Sequence, residues 1–201
     1  MFFSHRTVFS PIELLWAFIG LILTIGGTFL EAFIAGLPLN PSDPTIPIQS
    51  LGVTCQIGAV LLVGCLGGKN AAAISQVAYL LLGLTWFNIF TDGGGIRYIF
   101  QPTFGYLLGF IPGAWVCGWL AFRVPRRLES IAFSCLCGLI TVHLVGIGSL
   151  IAVQAVSWSE SSWKTLWYAI ATYSLVPIPG QLALICAVTV VSYSLRHILF
   201  Y

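Results

Sequence analysis

Asp92, Arg97, Tyr98, Gln101 and Tyr106 bring two opposite charges, two phenols and an amide into one stretch, Phe90 to Phe110, reading FTDGGGIRYIFQPTFGYLLGF. A carboxylate and a guanidinium this close can hold the polar groups of a small ligand or can pair with each other. The phenols and the amide donate and accept hydrogen bonds. Gly93, Gly94 and Gly95 leave the backbone free to take positive φ and to approach another group closely. Away from this stretch, ionisable side chains are few. His143 lies inside an apolar run, where an ionisable residue marks either a functional site or a neutral imidazole bonded to a neighbouring helix. Glu31 reads as an interfacial carboxylate or as a cavity residue, and Glu13 as an interfacial one.

Chemistry of other kinds finds little support. Ser149 follows Gly148, but Leu150 stands where an intramembrane serine nucleophile would want a second glycine. No His-Glu-x-x-His and no Walker A sequence occurs, so the chain is not expected to be an enzyme or to energise transport by itself. Cys55, Cys65, Cys117, Cys135, Cys137 and Cys186 all fall in apolar runs, where cysteine behaves as a small hydrophobe. Cys135 and Cys137 have the wrong spacing for a zinc pair, and no cluster of His or Cys accompanies them. The expectation is therefore no metal and no cofactor.

The elements that must position these residues are membrane-spanning. Only 7% of the 201 residues are charged, against roughly 25% in soluble domains, and the mean hydropathy is +0.98. Such a chain cannot clothe a soluble exterior and belongs in lipid. A net charge of +2, without basic clusters interleaved with stacking aromatics, gives no reason to expect a nucleic-acid partner. The fold class expected is all-α: one polytopic membrane domain over residues 1–201 with about six transmembrane helices.

Taken in order, the spans read as Ile12–Ile34, Val53–Leu66, Ala71–Phe90, Thr103–Phe122, Ser130–Val153 and Gly180–Phe200. About 20 apolar residues cross a bilayer core, so Val53–Leu66 is short. The first run is too long for the apolar core of a cleavable signal and is expected to remain as a span. Along it Gly20, Thr24, Thr28, Ala32 and Gly36 recur every four residues. That stripe of small side chains lets another helix approach closely in lipid, either inside this protein or from a partner subunit. Four prolines (Pro38, Pro41, Pro44, Pro47) make Leu37–Leu51 an irregular loop. Gly67-Gly68-Lys69-Asn70 reads as a tight turn. Pro177, Pro179 and Gly180 break the last apolar run, leaving Thr165–Ser174 as a surface or re-entrant helix.

Positive charge falls unevenly. Arg6, Lys69, Arg123, Arg126, Arg127 and Arg196 lie on one side, and only Arg97 and Lys164 on the other, with Asp43, Asp92 and Glu160. The positive-inside rule then places both termini in the cytoplasm. The proline-rich, glycine-rich and Trp-rich segments face outward, where irregular backbone must line a cavity or be buried.

These residues also carry a resemblance. Gly94-Gly95, then six residues, then Pro102-Thr103-Phe104-Gly105-Tyr106-Leu107-Leu108-Gly109-Phe110, resembles the core signature of the BioY family, the substrate-binding S components of energy-coupling-factor (ECF) biotin transporters. Val53-Thr54-Cys55-Gln56 and Ala78-Tyr79-Leu80-Leu81-Leu82-Gly83 are similar to that family's second- and third-helix motifs. The resemblance implies a six-helix, ECF S-component-like fold in a bacterial plasma membrane, surrounded by lipid. It implies an outward pocket for biotin, a transmembrane coupling subunit and a pair of cytoplasmic ATPases. It also suits the stripe of Gly20, Thr24, Thr28 and Ala32 to docking on the coupling subunit.

One departure matters. The family pattern at the last helix is Pro-Gly-Asp-x-x-Lys, with the acid and the lysine serving biotin. Here Pro179-Gly180 is kept, but Gln181 and Leu184 replace the charged pair. Gln181 can pair with a ureido ring as donor and acceptor; Leu184 offers a carboxylate nothing. Losing the charged partner of a buried carboxylate costs about 2–5 kcal/mol. Arg97, or less readily Lys164, is expected to take the carboxylate, unless Arg97 is committed to Asp92. Tyr79, Tyr98, Gln101 and Tyr106 are expected to supply polar contacts or ring stacking, beside Gly94 and Gly95. Alternatives from the sequence are a different small vitamin-like ligand, or a membrane assembly subunit that keeps the fold without transporting.

Overall fold

The structure is a computed structural model and describes residues 10–36, 48–85, 87–156 and 163–199. It is a bundle of long apolar helices: α1 Pro11–Phe29, α2 Gln56–Thr85, α3 Phe104–Ala121, α4 Leu128–Val156, α5 Trp163–Ile170 and α6 Ile178–Leu199. A two-stranded antiparallel hairpin, β1 Glu31–Ala35 with β2 Ile48–Thr54, joins α1 to α2. Five continuous helical runs are long and apolar enough to cross a membrane, with α5 and α6 joined in one of them. Gly68 (φ 78°, ψ 176°) breaks α2 in two, so the expected turn divides it and six helical segments result. The chain is a multi-pass membrane protein.

Local chemistry sets where the helices start and stop. Ser10 caps α1 reciprocally: its hydroxyl accepts from Ile12 N–H (3.3 Å), and its own N–H donates to Glu13 Oε2 (2.9 Å). Two of the helix's orphan donors are thereby satisfied. Glu13 Oε1 also accepts from Asn70 Nδ2 (2.9 Å), clasping α1 to the second half of α2. The first span was expected to continue to Ile34, but α1 ends at Phe29. The next residues pair with β2, and Cys55 N–H closes the corner on Leu30 C=O at 2.7 Å. Because β2 takes residues 48–54, the second helix begins at Gln56 rather than Val53. A short apolar run has the same composition in either conformation, so periodicity alone could not separate them. Pro38, Pro41, Pro44 and Pro47 lie outside the described residues.

The stripe on α1 is an internal seam. Thr24 and Thr28 are fully buried within the chain, as is Ala32 on β1. A Cβ on Gly20 would sit 2.8 Å from Val63 and 2.9 Å from Ser75. Gln76 Nε2 donates to Thr24 Oγ1 (3.0 Å), and Thr28 meets the Tyr79 hydroxyl (3.2 Å). Of the two readings of this stripe, packing inside the chain or docking on a partner, the structure shows packing inside the chain: Gly20, Thr24 and Thr28 face α2, and Ala32 is buried on β1. A tighter seam joins α3 and α4. Cβ atoms on Gly109 and Gly113 would come within 2.9 Å of the Val142 and Gly138 carbonyl oxygens.

The last apolar run breaks where the prolines predict. Pro177 and Pro179 lack N–H groups and crowd the preceding carbonyls. The chain responds with a π-helical turn, Ala171–Leu175, in which Val176 N–H reaches back five residues to Ala171 C=O (2.9 Å). Such turns redirect side chains, and here they carry Tyr173 and Ser174 toward the bundle interior. Gly180 has no side chain for a close approach: a Cβ would lie 2.5 Å from Leu51 C=O on β2. Lys69, the Arg123–Arg127 turn and Arg196 gather at the end of the bundle away from β2. Arg196, counted among the charges of one side, is buried, 4% exposed, and donates from Nη1 to Ala121 C=O (2.8 Å).

Candidate functional site

The glycine triplet builds one wall of a cavity. Phe90 and Gly93 exchange backbone hydrogen bonds (2.9 and 3.1 Å), a turn for which Gly93 takes φ 113°. Gly95 takes φ 86° and donates its N–H to Gly83 C=O at 2.7 Å. Gly94 is pressed onto the end of α2, where a Cβ would lie 2.4 Å from Phe87 C=O. This folded loop seats the Phe90 ring against Gly83, and Tyr98 against Phe90 with ring centres 4.6 Å apart. The short 3₁₀ turn Ile96–Phe100 buries Tyr98 and turns Arg97 outward. Burial raises the pKa of the Tyr98 phenol, and the Asp92 charge adds to this, while its bond to Thr103 Oγ1 (3.0 Å) acts the other way. Tyr98 therefore stays a neutral phenol at physiological pH.

Behind the loop lies a cavity of about 380 Å³. Thr54 of β2 and Gln56 of α2 line one side. Asp92, Tyr98 and Tyr106 line another, and His143, Tyr173 and Gln181 close it from α4, the π-helical turn and α6. Leu107, Phe110 and Val142 supply apolar surface. Its volume is in the range of small-molecule sites, roughly 300–1,000 Å³.

Four polar side chains from four elements form a continuous relay, three of them in the cavity lining and Ser174 buried behind it. Gln181 Oε1 lies 2.7 Å from His143 Nε2, His143 Nδ1 lies 3.2 Å from Ser174 Oγ, and Ser174 Oγ lies 2.6 Å from the Tyr106 hydroxyl. With the amide oxygen accepting, His143 carries its hydrogen on Nε2, Ser174 donates to Nδ1, and Tyr106 donates to Ser174. Every donor in the relay has a direction, and the Gln181 amide nitrogen takes no part in it. Gly146 makes room for the Tyr106 ring, since a Cβ there would lie 2.3 Å from it.

Of the residues nominated from sequence, Asp92, Tyr98, Tyr106 and Gln181 line the cavity. Gly94 and Gly95 shape the loop without lining it. Tyr79 is buried behind the wall: its hydroxyl accepts from Gln56 Nε2 (2.9 Å) and donates to Ile89 C=O (2.9 Å), so it positions Gln56. Arg97 and Gln101 are exposed and outside the lining, and Arg97 is not joined to Asp92. Arg97, expected to take a carboxylate, thus lies apart from the cavity lining in this structure, because the 3₁₀ turn that buries Tyr98 points its neighbour away. Among the described residues no lysine or arginine lines the cavity. Leu184 is directed at α2, where a Cβ on Gly58 would contact it at 3.7 Å. The sequence reading did not place Gln56, Thr54, Tyr173 or His143 in the site. Gln56 and Thr54 stood in a recognised motif, and His143 was visible as an ionisable residue within a span.

Comparison with known proteins bears on the family and the fold. The model of the BioY family matches residues 13–200. A probable biotin transporter BioY of Lysinibacillus sphaericus is 41% identical over 123 residues, covering 59% of this chain and 62% of the relative. The chain thus spans less than two thirds of that protein's length. The biotin transporter BioY of Rhodobacter capsulatus is 33% identical over 176 residues, 85% of each chain. The fold matches the crystal structure of the S-component for biotin from an ECF-type ABC transporter, with a TM-score of 0.68, 20% identity and coverage of 98% of this chain and 95% of the other. A family match over nearly the whole chain, joined to a helical bundle that closes on a polar cavity, means that this chain belongs to the BioY family.

Proposed function

We propose that this chain is the substrate-capturing S component of an ECF transporter, and that it takes biotin or a close relative into the cavity behind the glycine-rich loop. The observation that carries the reading is the relay from Gln181 through His143 and Ser174 to Tyr106. It presents an oriented amide donor to a cavity whose other walls are phenolic and apolar. A ureido ring offers one carbonyl acceptor and two N–H donors. The Gln181 nitrogen suits the first and the Asp92 carboxylate suits the second, while Phe110, Leu107 and Val142 suit the sulfur-containing ring. Relatives named as a biotin transporter and a probable biotin transporter support the ligand class. The coupling subunit and ATPases are proposed partners, because the chain has no nucleotide-binding loop of its own. The cavity end faces outward and both termini face the cytoplasm, as the clustering of Lys69, Arg123, Arg126 and Arg127 at the other end favours.

Among the described residues no lysine or arginine lines the cavity, so the ligand's carboxylate is expected to contribute little to binding. Equilibrium binding to the purified protein tests both points. Biotin is expected to bind, and biotin methyl ester is expected to bind within about threefold of it, since no charged partner is lost with the carboxylate. Failure of both ligands to bind would favour the second reading, a different small vitamin-like substrate. A large preference for the free acid would place a cation at the ligand after all.

A further inference from the structure

At the end of the bundle opposite the cavity, three helices bring together cysteines that are far apart in sequence. Cys65 on α2 lies 3.5 Å from Cys135 on α4 and 3.7 Å from Cys117 on α3, sulfur to sulfur. All three sulfurs fall within 4.8 Å of one another and all three residues are fully buried. Metal–sulfur bonds of about 2.3 Å to a single ion would hold sulfurs about 3.8 Å apart in a tetrahedral arrangement. The observed spacing is close to that and far too long for a disulfide.

The surroundings supply what thiolates need. Arg196 is buried beside the cluster, close enough for its charge to act on Cys65. Its Nε has no hydrogen-bond partner. Ser192 stands by Cys65 and Thr189 by Cys135, and neither buried hydroxyl has a hydrogen-bond partner other than the neighbouring sulfur. Buried donors that have only a sulfur to turn to gain little from a neutral thiol, a weak acceptor, and far more from a thiolate. Charge balance selects the ion. Three thiolates and a divalent ion leave one negative charge, and the guanidinium of Arg196 supplies one positive charge, so the buried group is neutral overall.

We propose that Cys65, Cys117 and Cys135 form a binding site for a soft divalent metal ion of the zinc and cadmium class, with Arg196, Ser192 and Thr189 as its outer shell. Each thiol gives up its proton to solvent as its sulfur–metal bond forms. The ion ties α2, α3 and α4 together at the end away from the substrate cavity. Cadmium is the probe, because its bonds to thiolate give an ultraviolet charge-transfer band. Full-length protein in detergent, kept reduced with a phosphine, is expected to bind one equivalent of cadmium with that band and with a higher melting temperature. Cys65→Ala is expected to lose the band, and a variant lacking Cys55, Cys137 and Cys186 is expected to keep it. A band that survives Cys65→Ala, or that disappears with the outer three cysteines, would overturn the assignment. If Cys65→Ala does not fold, the unaltered protein decides: no band and no rise in melting temperature on adding cadmium sinks the proposal.

Discussion

His143 sits where a ligand-binding amide has to be aimed, and its two ring nitrogens are both engaged, one by Gln181 at 2.7 Å and one by Ser174 at 3.2 Å. Removing the ring strands both partners, and an unsatisfied buried polar group costs about 1–3 kcal/mol. His143→Ala is therefore expected to weaken ligand binding by about tenfold or more, whereas His143→Gln, which can still donate to Gln181, is expected to keep most of the affinity. Arg97→Ala is expected to leave affinity unchanged, because its side chain points outward. Calorimetric titration of the three variants checks this; a loss confined to Arg97→Ala would mean that the loop folds over the ligand. Sequence reasoning reached Asp92, Tyr98, Tyr106 and Gln181 because their types crowd together or fall in recognisable motifs. It stopped short at His143, whose partners lie 31 and 38 residues away; no local pattern encodes such a pairing.

Helices in lipid gain little from hydrophobicity against one another, so close approach has to hold this bundle together. Gly105, Gly109 and Gly113 put one bare face of α3 against α4. At Gly109 an added methyl group meets backbone: the Val142 carbonyl oxygen at 2.8 Å and its Cα at 3.1 Å. Gly109→Ala must push the helices apart and is expected to cost about 1–3 kcal/mol, seen as a lower melting temperature in detergent. Gly148→Ala, with nothing within 4 Å of the added methyl, is the control that should melt like the parent; equal melting of both variants would show that the seam is not tightly packed. At this scale the sequence was partly legible. The four-residue recurrence on α1 correctly signalled a close helix contact, but both sides of that contact belong to this chain. The Gly68 turn and the proline break were legible because glycine and proline act locally. The β1–β2 hairpin was not, because its strands lie 12 residues apart between Ala35 and Ile48 and its composition blends into the apolar runs.

Across the whole molecule the two ends are chemically distinct. One carries the hairpin, the glycine-rich loop and the mouth of the cavity. The other carries Lys69, the Arg123–Arg127 turn, and the buried Arg196 beside its three cysteines. Two cations of the basic end lie over the stacked pair Trp115 and Trp119, Lys69 at 5.5 Å from the first and Arg123 at 4.2 Å from the second, and Arg196 lies over Phe122 at 4.6 Å. An aromatic pair capped by cations suits a membrane interface, and the excess of positive charge there is what the proposed cytoplasmic placement of this end rests on. The orientation can be read in intact bacteria with a membrane-impermeant thiol reagent, on variants whose native cysteines have been replaced. Thr91→Cys, at the cavity mouth, is expected to react from outside, and bound ligand is expected to slow that reaction because Thr91 lines the cavity. Arg127→Cys, exposed on the basic turn, is expected to react only after the cells are permeabilised. The reverse pattern would mean an inverted protein, whose cavity opens to the cytoplasm and cannot serve uptake. Labelling of Thr91→Cys from outside without ligand protection would keep the orientation but move the binding site away from this loop.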